Sequence, residues 1–192
     1  MSFNGESNLM QELSGGERLL WSGIPAQGLL FRASDIFMVP FSLLWGGFAI
    51  FWEYSVVSSK QAPFFFMLWG VPFVLVGLYI IFGRFFADSY LRARTYYGVT
   101  DQRIIILSGF INREVKSVTL QGLNDMSLNE RPDGSGSITF GPTSPMYAMW
   151  SGTAWPGTAK KLAPAFELIT QVRKVYSLIR EAQQSSSARG GA

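Results

Sequence analysis

Any chemistry in this chain is done without histidine or cysteine, because its 192 residues contain neither. The commonest general base, the commonest transition-metal ligand and all thiolate chemistry are missing together. This composition argues against zinc, haem, and Cys–His or Ser–His catalysis, and it rules out a disulfide framework. A Ser–Lys or carboxylate-only enzyme stays formally open. The expectation is a non-enzyme with no cofactor and no metal.

The remaining candidates are few. Glu53 is the one acidic residue inside a long apolar run, and an ionisable group inside a membrane is a candidate for an ion path. Its place at the end of that run equally lets it reach headgroup water. Thr100 and Arg103 flank a polar pair, Asp101–Gln102. They read either as an anion contact or, preferred, as a turn cap and the start of a strand. Gly134 and Gly136 lie in RPDGSG, but no GKS or GKT follows, so this is a hairpin turn and not a phosphate loop. Arg84, Arg92, Arg94, Lys160 and Lys161 are candidate contacts for anionic lipid headgroups. Met146, Tyr147, Met149, Trp150 and Trp155 form a candidate partner-binding segment, since exposed Met and Trp are costly unless covered. The alternative is that they fill the core of a small domain.

Two elements dominate the frame around these residues. Residues 36–57 hold one charge, and residues 63–83 hold none. About 20 apolar residues cross a hydrocarbon core of roughly 30 Å. Both runs meet that length, and only residues 58–62 separate them, so the spacing predicts a transmembrane helical hairpin. Gly70 and Gly77 are seven apart and share a face, expected to meet the first helix. The hairpin tip offers only Lys60, whereas arginines flank both outer ends, which places both termini in the cytoplasm. The net charge of +3 is a mild bias spread along the chain, with no basic cluster suited to nucleic acid.

The polar remainder reads as follows. Residues 1–15 are expected to be a flexible N-terminus, and 16–35 a short segment whose ERLLWSGI reads as a strand or an interfacial segment, its isolation favouring a pairing with something later. Residues 84–94 are a juxtamembrane helical extension. From 95 to 150, β-branched and aromatic runs alternate with turns, as in a small barrel or sandwich. PAFELITQVRKVYSLIREA (164–182) has helical periodicity, with Pro164 suited to a helix start. Residues 183–192 are a Ser/Gly tail, expected to be disordered.

Three strings in this order, GERLLWSGIP (16–25), YYGVTDQRIIILSG (96–109) and PAFELITQVRKVYSLI (164–179), resemble the bacterial pleckstrin-homology-like (PH-like) membrane proteins. The resemblance implies a bent antiparallel barrel of about seven strands, capped by the C-terminal helix, with residues 95–182 as its PH-like domain. It also implies that ERLLWSG adds a strand across the hairpin. The expected whole is an α+β protein of the bacterial inner membrane, crossing it more than once. The expected role is a non-catalytic module that binds a protein partner, another copy of itself or membrane lipids. The rival role is recognition of anionic lipid or membrane stress.

Overall fold

The computed structural model describes residues 3–30, 35–59, 63–109, 112–123, 125–141 and 163–190. They fall into a helical unit and a sheet unit.

The helical unit holds α2 (Asp35–Ser58) and α3 (Phe64–Leu78). A π-helical turn, Tyr79–Gly83, joins α3 to α4 (Arg84–Ala93). Asp35–Ser58 and Phe64–Ala93 are both long and apolar enough to cross a membrane. Glycine sets how closely α2 and α3 approach. A Cβ on Gly77 would stand 3.0 Å from Gly46 Cα, so one helix backbone would have to shift to admit it. A Cβ on Gly70 would collide with the Glu53 carboxylate and the Trp52 ring. Gly70 and Gly77 thus face α2, as their spacing predicts. Gly47 has open space where a Cβ would sit. Gly77→Val is therefore expected to lower the resistance of the hairpin to SDS by about 1–3 kcal/mol, the usual cost of overpacking. Gly47→Val should leave it unchanged. Equal behaviour of the two variants in an SDS titration would refute this packing.

The sheet unit begins with α1 (Phe3–Glu12) and β1 (Leu19–Gly23). After the helices come β2 (Tyr96–Thr100), β3 (Arg103–Ser108), β4 (Glu114–Thr119), β5 (Met126–Glu130), β6 (Gly136–Phe140) and β7 (Ala165–Ile169). Helix α5 (Val172–Gly190) closes the order. One antiparallel sheet runs β1-β2-β3-β4 and the other β5-β6-β7. Among the described residues the strands number seven, as the resemblance implies, but they do not close into a barrel. The 3-10 turn Leu120–Gly122 passes the chain from β4 toward β5 without pairing the two strands.

Val99, Ile104, Ile106, Leu120, Ile138, Phe140 and Phe166 form the core between the sheets. Helix α5 closes it with Val172, Val175, Ile179 and Ala182, a stripe at helical spacing. The Phe166 ring packs against Tyr97 at 4.6 Å, Phe140 at 5.0 Å and Trp21 at 5.7 Å between centroids.

Three expectations need correction. The N-terminus is not a flexible lead: α1 places Leu9 on Ile105 and Leu107, with Leu13 and Tyr96 beside them. This cover explains why the run Ile104–Leu107 is apolar on both faces. Second, residues 164–182 are not one helix. Ala165–Ile169 pairs with β6, and Leu168 and Gln171 adopt positive φ of 53° and 52°, which breaks helical continuity before Val172. Burial of Phe166 in the core overrides the helical propensity of AFELI. Third, helix continues through the expected tail as far as Gly190.

Candidate functional site

Three polar clusters stand out around β1 and the strands beside it. The first is built on Glu17, two residues before β1, whose side chain is fully buried. Arg103, at the start of β3, donates from Nε and Nη2 to the two Glu17 carboxylate oxygens at 2.9 and 3.0 Å. The Ser14 backbone N–H reaches Glu17 Oε2 at 2.8 Å, and the Thr100 hydroxyl lies 2.7 Å from Oε1. Burial alone would raise the Glu17 pKa, but these donors outweigh it and hold the carboxyl down at about 2. Arg103 also donates to the Glu12 carbonyl, and Arg18 and Asp101 exchange two further bonds. Thr100 Oγ1 accepts from the backbone of Gln102 and Arg103, so it caps the β2–β3 turn as its spacing predicts. Arg103 is spent on Glu17 and is not an anion contact. The cluster latches the N-terminal segment to the first hairpin.

The second cluster joins the two chain segments that lead out of β1 and into β2. Arg92 is buried and donates to the carbonyls of Ala26 and Gly28. The Gln27 side-chain amide donates back to the Arg92 carbonyl at 3.2 Å. Arg92 is therefore committed to backbone and is not presented to lipid headgroups. Arg84 is corrected in the same way. It is buried and paired with Asp35 at 2.8 Å, and its guanidinium lies 4.4 Å from the Phe85 ring. Of the expected headgroup contacts, Arg94 alone among the described residues is exposed, with its guanidinium over the Tyr90 ring at 4.2 Å. Lys160 and Lys161 lie outside the described residues. So does the whole candidate partner segment Met146, Tyr147, Met149, Trp150 and Trp155. Glu53 stands against Gly70, and its Oε2 is buried without a hydrogen-bond partner among the described residues.

The third cluster is a cleft of ≈ 350 Å³. Asn8 of α1 and Arg94, just past α4, form part of its wall. Tyr96 of β2 and the end of β3, Leu107 to Gly109, add more, and Asn112 and Arg113 complete it before β4. A Cβ on Gly109 would collide with the Asn112 carbonyl. None of the lining residues is acidic. Arg113 is tethered to α1 through Nη2, which meets the Asn8 carbonyl at 3.0 Å and Glu12 at 2.9 Å. Sequence reasoning missed this cleft because it depends on α1. The available signal was Leu9 and Leu13, four residues apart on one helix face.

Among protein-family models, that of the bacterial PH domain matches residues 39–182, well over half of the chain. The chain belongs to the bacterial PH domain family. The match takes in most of α2, all of α3 and α4, and β2 to β7. No curated protein and no solved structure matches the chain. In this PH domain α1, β1 and Glu17 precede the matched region, and Asn8 of the cleft does too. All the lining residues except Asn8 fall inside it.

Proposed function

We propose that this protein is a membrane-anchored, non-catalytic binding module whose PH-like unit engages a protein partner at the membrane surface. The observation that carries the reading is an insertion. Strands β1 and β2 pair with each other, Trp21 opposite Val99 and Gly23 opposite Tyr97, yet the whole helical unit lies between them in sequence. Such an insertion connects the sheet to the hairpin through two chain crossings. The apolar windows of the two long helices are only 22% and 11% buried, which suits lipid better than a protein core. With the arginine asymmetry, this supports an inner-membrane protein with both termini cytoplasmic. A PH-like unit with neither histidine nor cysteine supports binding over catalysis.

The test is crosslinking in native membranes, followed by purification of the tagged full chain and mass spectrometry. The expected result is a stoichiometric membrane-protein partner, lost when Trp150 and Trp155 are both changed to Ala while the fold survives. A protein that stays in the membrane fraction but purifies alone would sink the partner reading. One released by alkaline carbonate would sink the anchor.

A further inference from the structure

We propose that the outer face of β2–β4, where α1 lies, is a docking surface for an amphipathic helix of a partner protein, and that α1 is its displaceable cover. This deepens the reading of the protein as a binding module and rests on it. Helix α1 is in effect a ligand held in cis, and its contacts show what the face accepts. Leu9 is buried on Ile105 and Leu107, with Leu13 and Tyr96 beside it. Gly98 gives it room, since a Cβ there would stand 3.1 Å from Leu9 Cδ2. At the rim, Arg113 Nη2 meets the Glu12 carboxylate at 2.9 Å and the Asn8 carbonyl at 3.0 Å. The face therefore suits the pattern of Leu9 to Leu13 (LMQEL), two apolar side chains four residues apart with a carboxylate between them.

Two observations make α1 a weak occupant of this face. First, its 10 residues are too few for a stable helix on their own, and Gly5 lowers the propensity further. Leu9 is the single buried side chain of α1 among those described. An element with so little buried surface opens locally at low cost. The Glu17–Arg103 latch lies past α1 in the chain, so α1 can lift while β1 stays paired with β2. Lifting gives up the Arg113 contacts and the bond from Arg103 to the Glu12 carbonyl. These reach only a carboxylate and helix carbonyls, which any helix of the same pattern supplies. Second, α1 leaves part of the face uncovered. The cleft of ≈ 350 Å³ has Asn8, Tyr96 and Leu107 in its wall, so the apolar face continues past α1. A longer helix covers that wall as well and gains area over α1. Gly98, Ile105, Leu107 and Arg113 all lie inside the family match, whereas α1 does not.

The probe is a fluorescein-labelled peptide of residues 3–15, titrated by anisotropy against the full-length protein in detergent. In wild type the cis helix competes, so the peptide should bind about tenfold or more weakly than it does to Leu9→Ser, whose cover is loosened. A variant lacking residues 1–12 has no cover but keeps Glu17, and it should bind at least as tightly as Leu9→Ser. It carries the test if Leu9→Ser unfolds. A peptide with both leucines changed to serine should bind none of the three proteins. Equal binding to wild type and both variants would overturn the proposal. So would no saturable binding to folded variants, or the unfolding of both variants, which would make α1 part of the core. A wild-type dimer that the deletion turns into a monomer would overturn it too, because a second copy's α1 would then be the occupant. The binding-module reading fails separately: a partner crosslinked in native membranes without any peptide binding would keep that reading and sink this face.

Discussion

Glu17→Gln is expected to destabilise the sheet unit by about 3 kcal/mol at neutral pH, the scale of breaking a buried ion pair. The Glu17 carboxylate is fully buried and takes both side-edge nitrogens of Arg103. An amide in its place removes the charge and turns a nitrogen toward one of those donors. The same number emerges from protonation. The Glu17 pKa is lowered from 4.5 to about 2, so folding favours the ionised form. Its contribution is complete above the unfolded value near 4.5 and falls away as pH drops toward 2. At 1.36 kcal/mol per pH unit, that loss is about 3 kcal/mol. Urea titrations of the full chain in detergent, at pH 7 and near pH 3, measure both effects. Wild type should lose stability on acidification, and Glu17→Gln should lose clearly less, having no carboxyl to protonate there. An equal acid loss in the two proteins would show that the latch is held elsewhere. Arg103 keeps 27% of its side chain exposed, so water can partly solvate it once Glu17 is neutral. That sets an upper bound on the cost.

The latch also shows what the sequence could and could not disclose. The strands β2, β3, β5 and β6 were legible because their β-branched runs and turns act locally. RPDGSG forms its turn with Gly134 at φ 76° and Ser135 bonded to Asp133. The pairing of ERLLWSG with a later strand followed from its isolation and from the family resemblance. What stayed hidden depends on contacts distant in sequence. Glu17 and Arg103 are 86 residues apart, and no local pattern marks them as partners. AFELI reads as helix until Phe166 is seen to belong to the core between the sheets. Arg84 and Arg92 looked like surface cations in an alternating basic and aromatic stretch. Helix geometry turns them inward, onto Asp35 and onto the carbonyls of Ala26 and Gly28. Arg94, one residue past α4, escapes that register and reaches the cleft.

Asp35→Ala is expected to have the largest effect of any single substitution, about 3–5 kcal/mol against the helical unit. Asp35 and Arg84 are each only 8% exposed at the side chain, so neither can fall back on solvent as Arg103 can. Arg84 is the more demanding partner. Its Nη1 meets Asp35 at 2.8 Å, while Nε and Nη2 are buried and make no hydrogen bond among the described residues. Removing Asp35 would take away the charge that the buried guanidinium is paired with. The π-helical turn Tyr79–Gly83 is what brings Arg84 to this position. One extra residue in a turn rotates all later side chains by about 100° relative to a continuous α-helix. Arg84 follows that turn directly, so its direction is set by the irregularity and not by the apolar run before it. The consequence is a test by pairs. Asp35→Leu with Arg84→Met should recover most of the stability lost in Asp35→Ala, because apolar replacement of both partners removes the desolvation cost along with the attraction. SDS or guanidinium titration of the full chain measures all three variants. If Asp35→Ala stays within about 0.5 kcal/mol of wild type, the pair does not hold the helices. If the double variant is as damaged as the single one, the two residues act through other contacts, and the base of the hairpin is held by the glycine-mediated packing of α2 on α3.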